Sequence, residues 1–140
     1  GDRIELPVDV ALDVDGARKD VPLKELPSVH PIMDIGTETA AKFSRLIAGA
    51  CTVFMSGPAG VIEKDEFSIG TRALMEAAVS GKAFSVIGGG HTVSAAQKYQ
   101  CCHRFSYVST GGGALETYIL GKPLPVVEAL KAAYRREKGK

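Results

Sequence analysis

Between Cys51 and Gly113 the chain repeats one unit: a short apolar, β-branched run ends in a glycine-rich turn and passes into a segment of helical character. The runs are CTVFMSG, AFSVIGGG and FSYVSTGGG, interleaved with helical stretches around Glu66–Val79 and Thr92–Tyr99. Parallel neighbours cannot be joined by a tight turn, so strands alternating with helices at this spacing point to parallel strands with right-handed crossovers. The near-continuous apolarity of each run is what strands covered on both faces require. The predicted fold class is α/β: a three-layer, Rossmann-like, mostly parallel sheet with helices on both faces.

Two more helices follow from local signals. Residues 37–48 (TETAAKFSRLIA) start at a Thr37 cap and close at Gly49. A final helix is expected over Val126–Tyr134, its start confined by Pro123 and Pro125. Leu6–Leu12 (LPVDVAL) reads as a strand and Asp13–Gly16 as a turn. Val21–Pro31, with three prolines and little periodicity, reads as an irregular connection.

A chain of 140 residues with 45% hydrophobic content and a net charge of +1 is one ordinary domain with a core of its own. No apolar run approaches the ~20 residues needed to cross a bilayer. Residues 1–10 lack a basic-then-apolar signal pattern, so a cytoplasmic protein with no membrane partner is expected. Cys51 reads as the start of a buried strand. With Cys101 and Cys102 it makes an odd set without C-x-x-C spacing, which argues against both a disulfide framework and a zinc site. Lys131, Arg135, Arg136, Lys138 and Lys140 crowd the C-terminus. Cations there suit the dipole of a helix end, and no aromatic residues interleave them, so nucleic acid is not an expected partner.

In an open parallel sheet the turns after the strands line one edge, where ligands bind. All three glycine clusters fall there: Gly57-Pro58-Ala59-Gly60, Gly88-Gly89-Gly90 and Gly111-Gly112-Gly113. Glycine lets a ligand touch the main chain, and the first N–H groups of the following helix are unpaired, which together make an anion site suited to phosphate. One such cluster could merely close a tight turn; three on one edge favour a ligand. There is no G-x-x-x-x-G-K-[ST] and no G-x-G-x-x-G with an acidic residue about twenty positions on, so neither a P-loop nor a dinucleotide fingerprint is present.

The residues Gly57-Pro58-Ala59-Gly60-Val61-Ile62-Glu63, Phe67 with Gly70-Thr71, Val86-Ile87-Gly88-Gly89-Gly90-His91-Thr92, Val108-Ser109-Thr110-Gly111-Gly112-Gly113-Ala114 and Gly121-Lys122-Pro123-Leu124-Pro125 closely resemble the nucleotide-binding domain of phosphoglycerate kinase. Order and spacing match over roughly Leu6 to Ala133, with Asp34-Ile35-Gly36 taken as the start of the preceding helix. The resemblance implies phosphoryl transfer between 1,3-bisphosphoglycerate and ADP, making ATP in glycolysis, with Mg²⁺ accompanying the nucleotide. It implies that Glu63 accepts hydrogen bonds from the ribose and that Pro58 and Val61 line the adenine slot. Gly89, Gly90, His91 and Thr92 would hold the phosphates, Gly111, Gly112 and Gly113 would lie near the transferring group, and Gly57 and Gly88 would also belong to the nucleotide site. Gly89, Gly90, Thr92 and Gly112 are the residues expected to act on the reacting phosphoryl group.

The pattern departs from the family in places. Most members carry Asp after the middle glycines, where it helps hold Mg²⁺; His91 is the form common in the archaeal branch. Because Mg²⁺ prefers hard oxygens, no protein ligand to the metal is assigned. His91 is left with two readings, a phosphate contact or a helix cap. Ser56 stands where many members have Asn, and Ala114 runs into Leu115-Glu116 without the usual serine.

Nothing in the chain resembles the family's N-terminal domain, which carries the 3-phosphoglycerate pocket, or the first strands of its C-terminal domain. Residues 1–140 are therefore expected to be a partial C-terminal nucleotide-binding domain, incomplete relative to the full domain and inactive alone. In the family's sheet order, 3-2-1-4-5-6, the strand at Pro7–Leu12 would lack neighbours. CTVFMSG would then present a bare apolar edge, open to self-association. The alternatives are a stand-alone nucleotide- or phosphate-binding module, or a structural interaction subunit, without catalysis.

Overall fold

A computed structural model describes residues 3–138. Its first element is a hairpin, not a lone strand. β1 (Asp9–Val14) pairs antiparallel with β2 (Ala17–Pro22), and β3 (Ile32–Ile35) pairs antiparallel with the other edge of β1. The strand predicted at Pro7–Leu12 thus has two neighbours where none was expected. The turn read at Asp13–Gly16 is the hairpin tip, with φ of 52° at Asp15 and 88° at Gly16. A two-residue connection that follows the strand twist needs positive φ at both positions, which Asp-Gly supplies. Val10, Leu12 and Val21 form a small core here, and Leu23 and Leu26, from the stretch read as irregular, pack against it.

Helix α1 (Thr37–Ala48) has the predicted length, but its cap is different. Gly36 is the N-cap, and Thr37 is the first helical residue. The free N–H groups of Glu38 and Thr39 donate to the Asp9 carboxylate at 3.0 and 2.7 Å, and that of Thr37 to Asp20 at 2.8 Å. Two acids on the hairpin thus satisfy a helix start that lacks its own cap, where negative charge also suits the dipole. Asp34 and Ile35 accordingly end β3 and do not begin the helix.

The remaining chain follows the repeating unit. β4 (Thr52–Ser56), α2 (Ile69–Ser80), β5 (Phe84–Gly88), α3 (Gly90–Lys98) and β6 (Tyr107–Val108) give a parallel sheet in the order β4-β5-β6. Alternation along the strands turns Val53 and Ile87 into a core with Met75 and Ala78 of α2 and Ala95 and Ala96 of α3. The opposite face meets helix α4 (Gly112–Ile119), which the sequence pattern did not predict. Leu115 of α4 and the ring of Phe54 both border Gly88 on that face. Helix α5 (Pro125–Lys138) opens on Pro125, one residue before the predicted start, and runs past Tyr134, with Arg135, Arg136 and Lys138 in its last turn. Lys140 lies outside the described residues.

Cys51 stands exposed just before β4, not within a buried strand. Among the described residues no strand covers the outer edge of β4, and Phe54 on that strand is 39% exposed. No described helix is long and apolar enough to cross a membrane.

Candidate functional site

The ends of β4, β5 and β6 place the three glycine turns on one edge. Gly89 is the N-cap of α3 and Gly111 that of α4, and neither helix start carries a side-chain cap. Their first N–H groups are therefore free to meet a ligand. The two turns touch: a Cβ on Gly112 would stand 3.0 Å from the Cα of Gly89 and 3.2 Å from its nitrogen. Thr92, fully buried in α3, accepts the N–H of Gly57 at 2.6 Å, which fixes the β4 turn against α3. Its side chain serves the turn, so what it can offer a ligand is its backbone N–H. Gly57, Gly88, Gly89, Gly90, His91, Thr92, Gly111, Gly112 and Gly113 all fall on this edge.

The glycines divide by what the fold demands of them. Gly89 has φ of 88°, and Gly112 faces main chain. At Gly90 and Gly113, at the heads of α3 and α4, a Cβ would meet nothing within 4 Å beyond the adjoining backbone of its own helix. The fold does not require glycine at either position; an approaching ligand would. Two adjacent, uncapped helix starts put free N–H donors and the positive ends of two dipoles side by side, an arrangement suited to spread negative charge. His91 is exposed in the first turn of α3 and caps nothing, so of its two readings the helix cap is not realised.

The other predicted residues lie along the loop after β4. Pro58 and Val61 line a largely apolar groove of ≈ 340 Å³ with Val10, Ile32 and Met33 of the first sheet. Glu63 is exposed and lies outside it. The loop is held at several points. Val61 donates to the Met33 carbonyl at 2.9 Å, and the N–H groups of Ala59 and Gly60 donate to the Thr71 hydroxyl at 3.0 and 3.2 Å. From α3, Lys98 donates to the Ile62 carbonyl at 2.7 Å and to Asp65 at 2.6 Å. That hydrogen bond holds the Asp65 carboxyl below the usual carboxylate range.

Two features escape a reading of the sequence. The first is Asp34, 2% exposed, which accepts from Arg18 at 2.9 Å and from the N–H groups of Gly70 and Ile35 at 2.8 Å each. Arg18 also donates to the carbonyls of Ile35 and Glu66 and to Asp20. A buried carboxylate is tolerable only when paired and hydrogen-bonded in this way. The pair braces the segment from Gly60 to Gly70 against the first sheet. The second is a hydrogen bond from the Ser56 hydroxyl, at the end of β4, to the Glu116 carboxylate on α4. Asp34 stands in the family-like run Asp34-Ile35-Gly36, but Arg18 and Gly70, which it also holds, are distant in the chain; Glu116 carries no signal.

The family model described as phosphoglycerate kinase matches residues 1–122. The phosphoglycerate kinase of Methanothermus fervidus is 44% identical over 136 residues, 97% of this chain and 33% of that protein. That of Methanothermobacter thermautotrophicus is 47% identical over 130 residues, 93% of this chain and 31% of that protein. Among solved structures, phosphoglycerate kinase from Pyrococcus horikoshii is similar with a TM-score of 0.79 at 39% identity, covering 92% of this chain and 33% of that one. The enzyme from Coxiella burnetii gives 0.81 at 39% identity, covering 89% and 33%. The chain thus spans about a third of the length of the curated relatives it matches.

Proposed function

Because this chain belongs to the phosphoglycerate kinase family, we propose that residues 1–140 act as the nucleotide-holding part of its C-terminal domain. The enzyme of this reading transfers a phosphoryl group from 1,3-bisphosphoglycerate to ADP, leaving 3-phosphoglycerate and ATP, as a cytoplasmic step of glycolysis. The observation that carries it is the pair of touching, uncapped helix starts whose glycines at 90 and 113 have no reason in the fold. Phosphoryl transfer asks a protein chiefly to position phosphates and stabilise spread charge, which backbone N–H groups do without reorganising.

Gly89, Gly90, Thr92 and Gly112 then face the transferring group, with Gly57, Gly88, His91, Gly111 and Gly113 around the phosphates. Pro58 and Val61 bear on the base, and Glu63 on the ribose. Mg²⁺ takes hard oxygens and is commonly held by one or two carboxylates together with substrate phosphates. The Ser56 hydroxyl and Glu116 carboxylate fit an ion that arrives with the nucleotide. Such an ion would neutralise part of the developing charge. On this reading the 3-phosphoglycerate pocket lies outside residues 1–140, so these residues alone would bind nucleotide without turning it over.

Calorimetric titration with MgADP tests the reading through Gly90→Ala and Gly113→Ala. Both variants should melt at or above the parent temperature, because alanine is the better helix former. Each should weaken MgADP by about tenfold, corresponding to one lost hydrogen bond to a charged group. Unchanged affinity in both would remove the phosphates from this edge.

The open edge of β4, with the part-exposed Phe54 on that strand, supports self-association of the chain. Sedimentation velocity should show a concentration-dependent larger species. A monomer at every concentration would rule that part out.

A further inference from the structure

Resting on the nucleotide reading, we propose that Glu116 is the carboxylate through which this chain holds the divalent cation of a nucleotide–metal complex at the glycine edge. The geometry places it there. Glu116 reaches from α4 to accept the Ser56 hydroxyl at the end of β4, sixty residues away in the chain. That hydroxyl lies 3.8 Å from where a Cβ on Gly89 would stand, over the turn that opens α3. The carboxylate is thereby tethered beside both open helix starts.

The carboxylates of Asp13, Asp65, Glu76 and Glu128 each neutralise a lysine or arginine. Among the described residues Glu116 forms no ion pair, and its hydrogen-bond partner is a neutral hydroxyl, so its full charge stays at the edge. A free carboxylate a few ångströms from phosphates repels them strongly, unless a cation stands between. With a divalent ion between carboxylate and phosphate, the same group becomes an attraction, and one carboxylate plus phosphate oxygens is a sufficient protein contribution for Mg²⁺. Position 91, at the head of α3, offers only an imidazole, a weak competitor for that ion. Glu116 is therefore a specificity element as well: it admits the metal complex and disfavours the bare nucleotide.

The test compares ADP binding by calorimetry in Mg²⁺ and in a chelator, for the parent and for Glu116→Gln, which keeps an acceptor for Ser56 and removes the charge. The parent should bind MgADP more tightly than free ADP. Glu116→Gln should lose about tenfold of that gain, the scale of one unit charge opposite a metal in a partly solvated site. Its affinity for free ADP should hold or rise. Ser56→Ala, which frees the carboxylate without removing it, should lose a smaller part of the gain.

Three results overturn the proposal while leaving the nucleotide site standing. Equal weakening of ADP and MgADP would make Glu116 a support for the turn. Equal strengthening would make it an internal competitor for the phosphates. An undiminished Mg²⁺ gain would put the ion elsewhere. A parent chain that binds ADP in neither condition would instead remove the nucleotide reading, and this proposal with it.

Discussion

Asp34→Ala is expected to destabilise the fold by about 3–5 kcal/mol, the cost of breaking a buried ion pair from one side. The Arg18 side chain is 12% exposed, and the substitution would leave it without its buried partner. The N–H groups of Gly70 and Ile35 would lose their acceptor as well. Domains of this kind have about 5–15 kcal/mol in hand, so the loss is a large share of the total. Urea denaturation followed by far-ultraviolet circular dichroism should show the midpoint falling sharply, or no cooperative transition at all. A midpoint within experimental error of the parent would mean that water readily replaces Asp34, and that the brace between Asp34 and Arg18 carries no weight. The effect should reach the site too, because the same carboxylate holds the start of α2 and packs against Gly60 in the loop that carries Pro58 and Val61.

Gly112→Val should abolish measurable nucleotide binding at millimolar ligand while leaving most of the fold intact. A Cβ at position 112 meets main-chain atoms of Gly89 at 3.0 and 3.2 Å, and backbone cannot swing aside as a flexible side chain can. Relief comes from parting the starts of α3 and α4, which pulls their N–H donors out of convergence. Hydrogen bonds to charged groups contribute about 1.5–3 kcal/mol each, so losing two weakens binding by roughly a hundredfold or more. The same calorimetric titration reads the result, and thermal melting separates it from unfolding. Binding at parental strength would show that the two helix starts work independently, contrary to the reading of them as one phosphate site.

The parallel half of the molecule is legible because each of its signals is local. In CTVFMSG, in AFSVIGGG and in the segments after them, an apolar run, a glycine turn and a helical stretch lie side by side. The first half is harder for a physical reason. β2 is ARKDVP, half-exposed and charged, so it lacks the apolar alternation that marks a strand, and β3 is a four-residue strand just after Pro31. Asp15-Gly16 is the available hairpin signal, and without a recognisable second strand it reads only as a turn. α4 opens on two glycines, poor helix formers, and its start is hidden for that reason. At the site, the glycines show themselves by clustering. The groups that hold them in place do not: Asp34 works with Arg18 across sixteen positions and Glu116 with Ser56 across sixty. No window that reads neighbours can find such pairs.

The cap on α1 comes from Asp9, thirty residues before the amides it accepts. In an isolated helix the first-turn amides trade their hydrogens with water as the end frays. Here those of Glu38 and Thr39 are sealed by a strand of the other sheet, while the same helix packs along α2. Deuterium should enter at the buried Thr39 amide chiefly when the antiparallel sheet, which carries its acceptor, lifts away from the helix. The start of α1 therefore keeps time for both halves of the molecule, and its exchange rate measures how often they part.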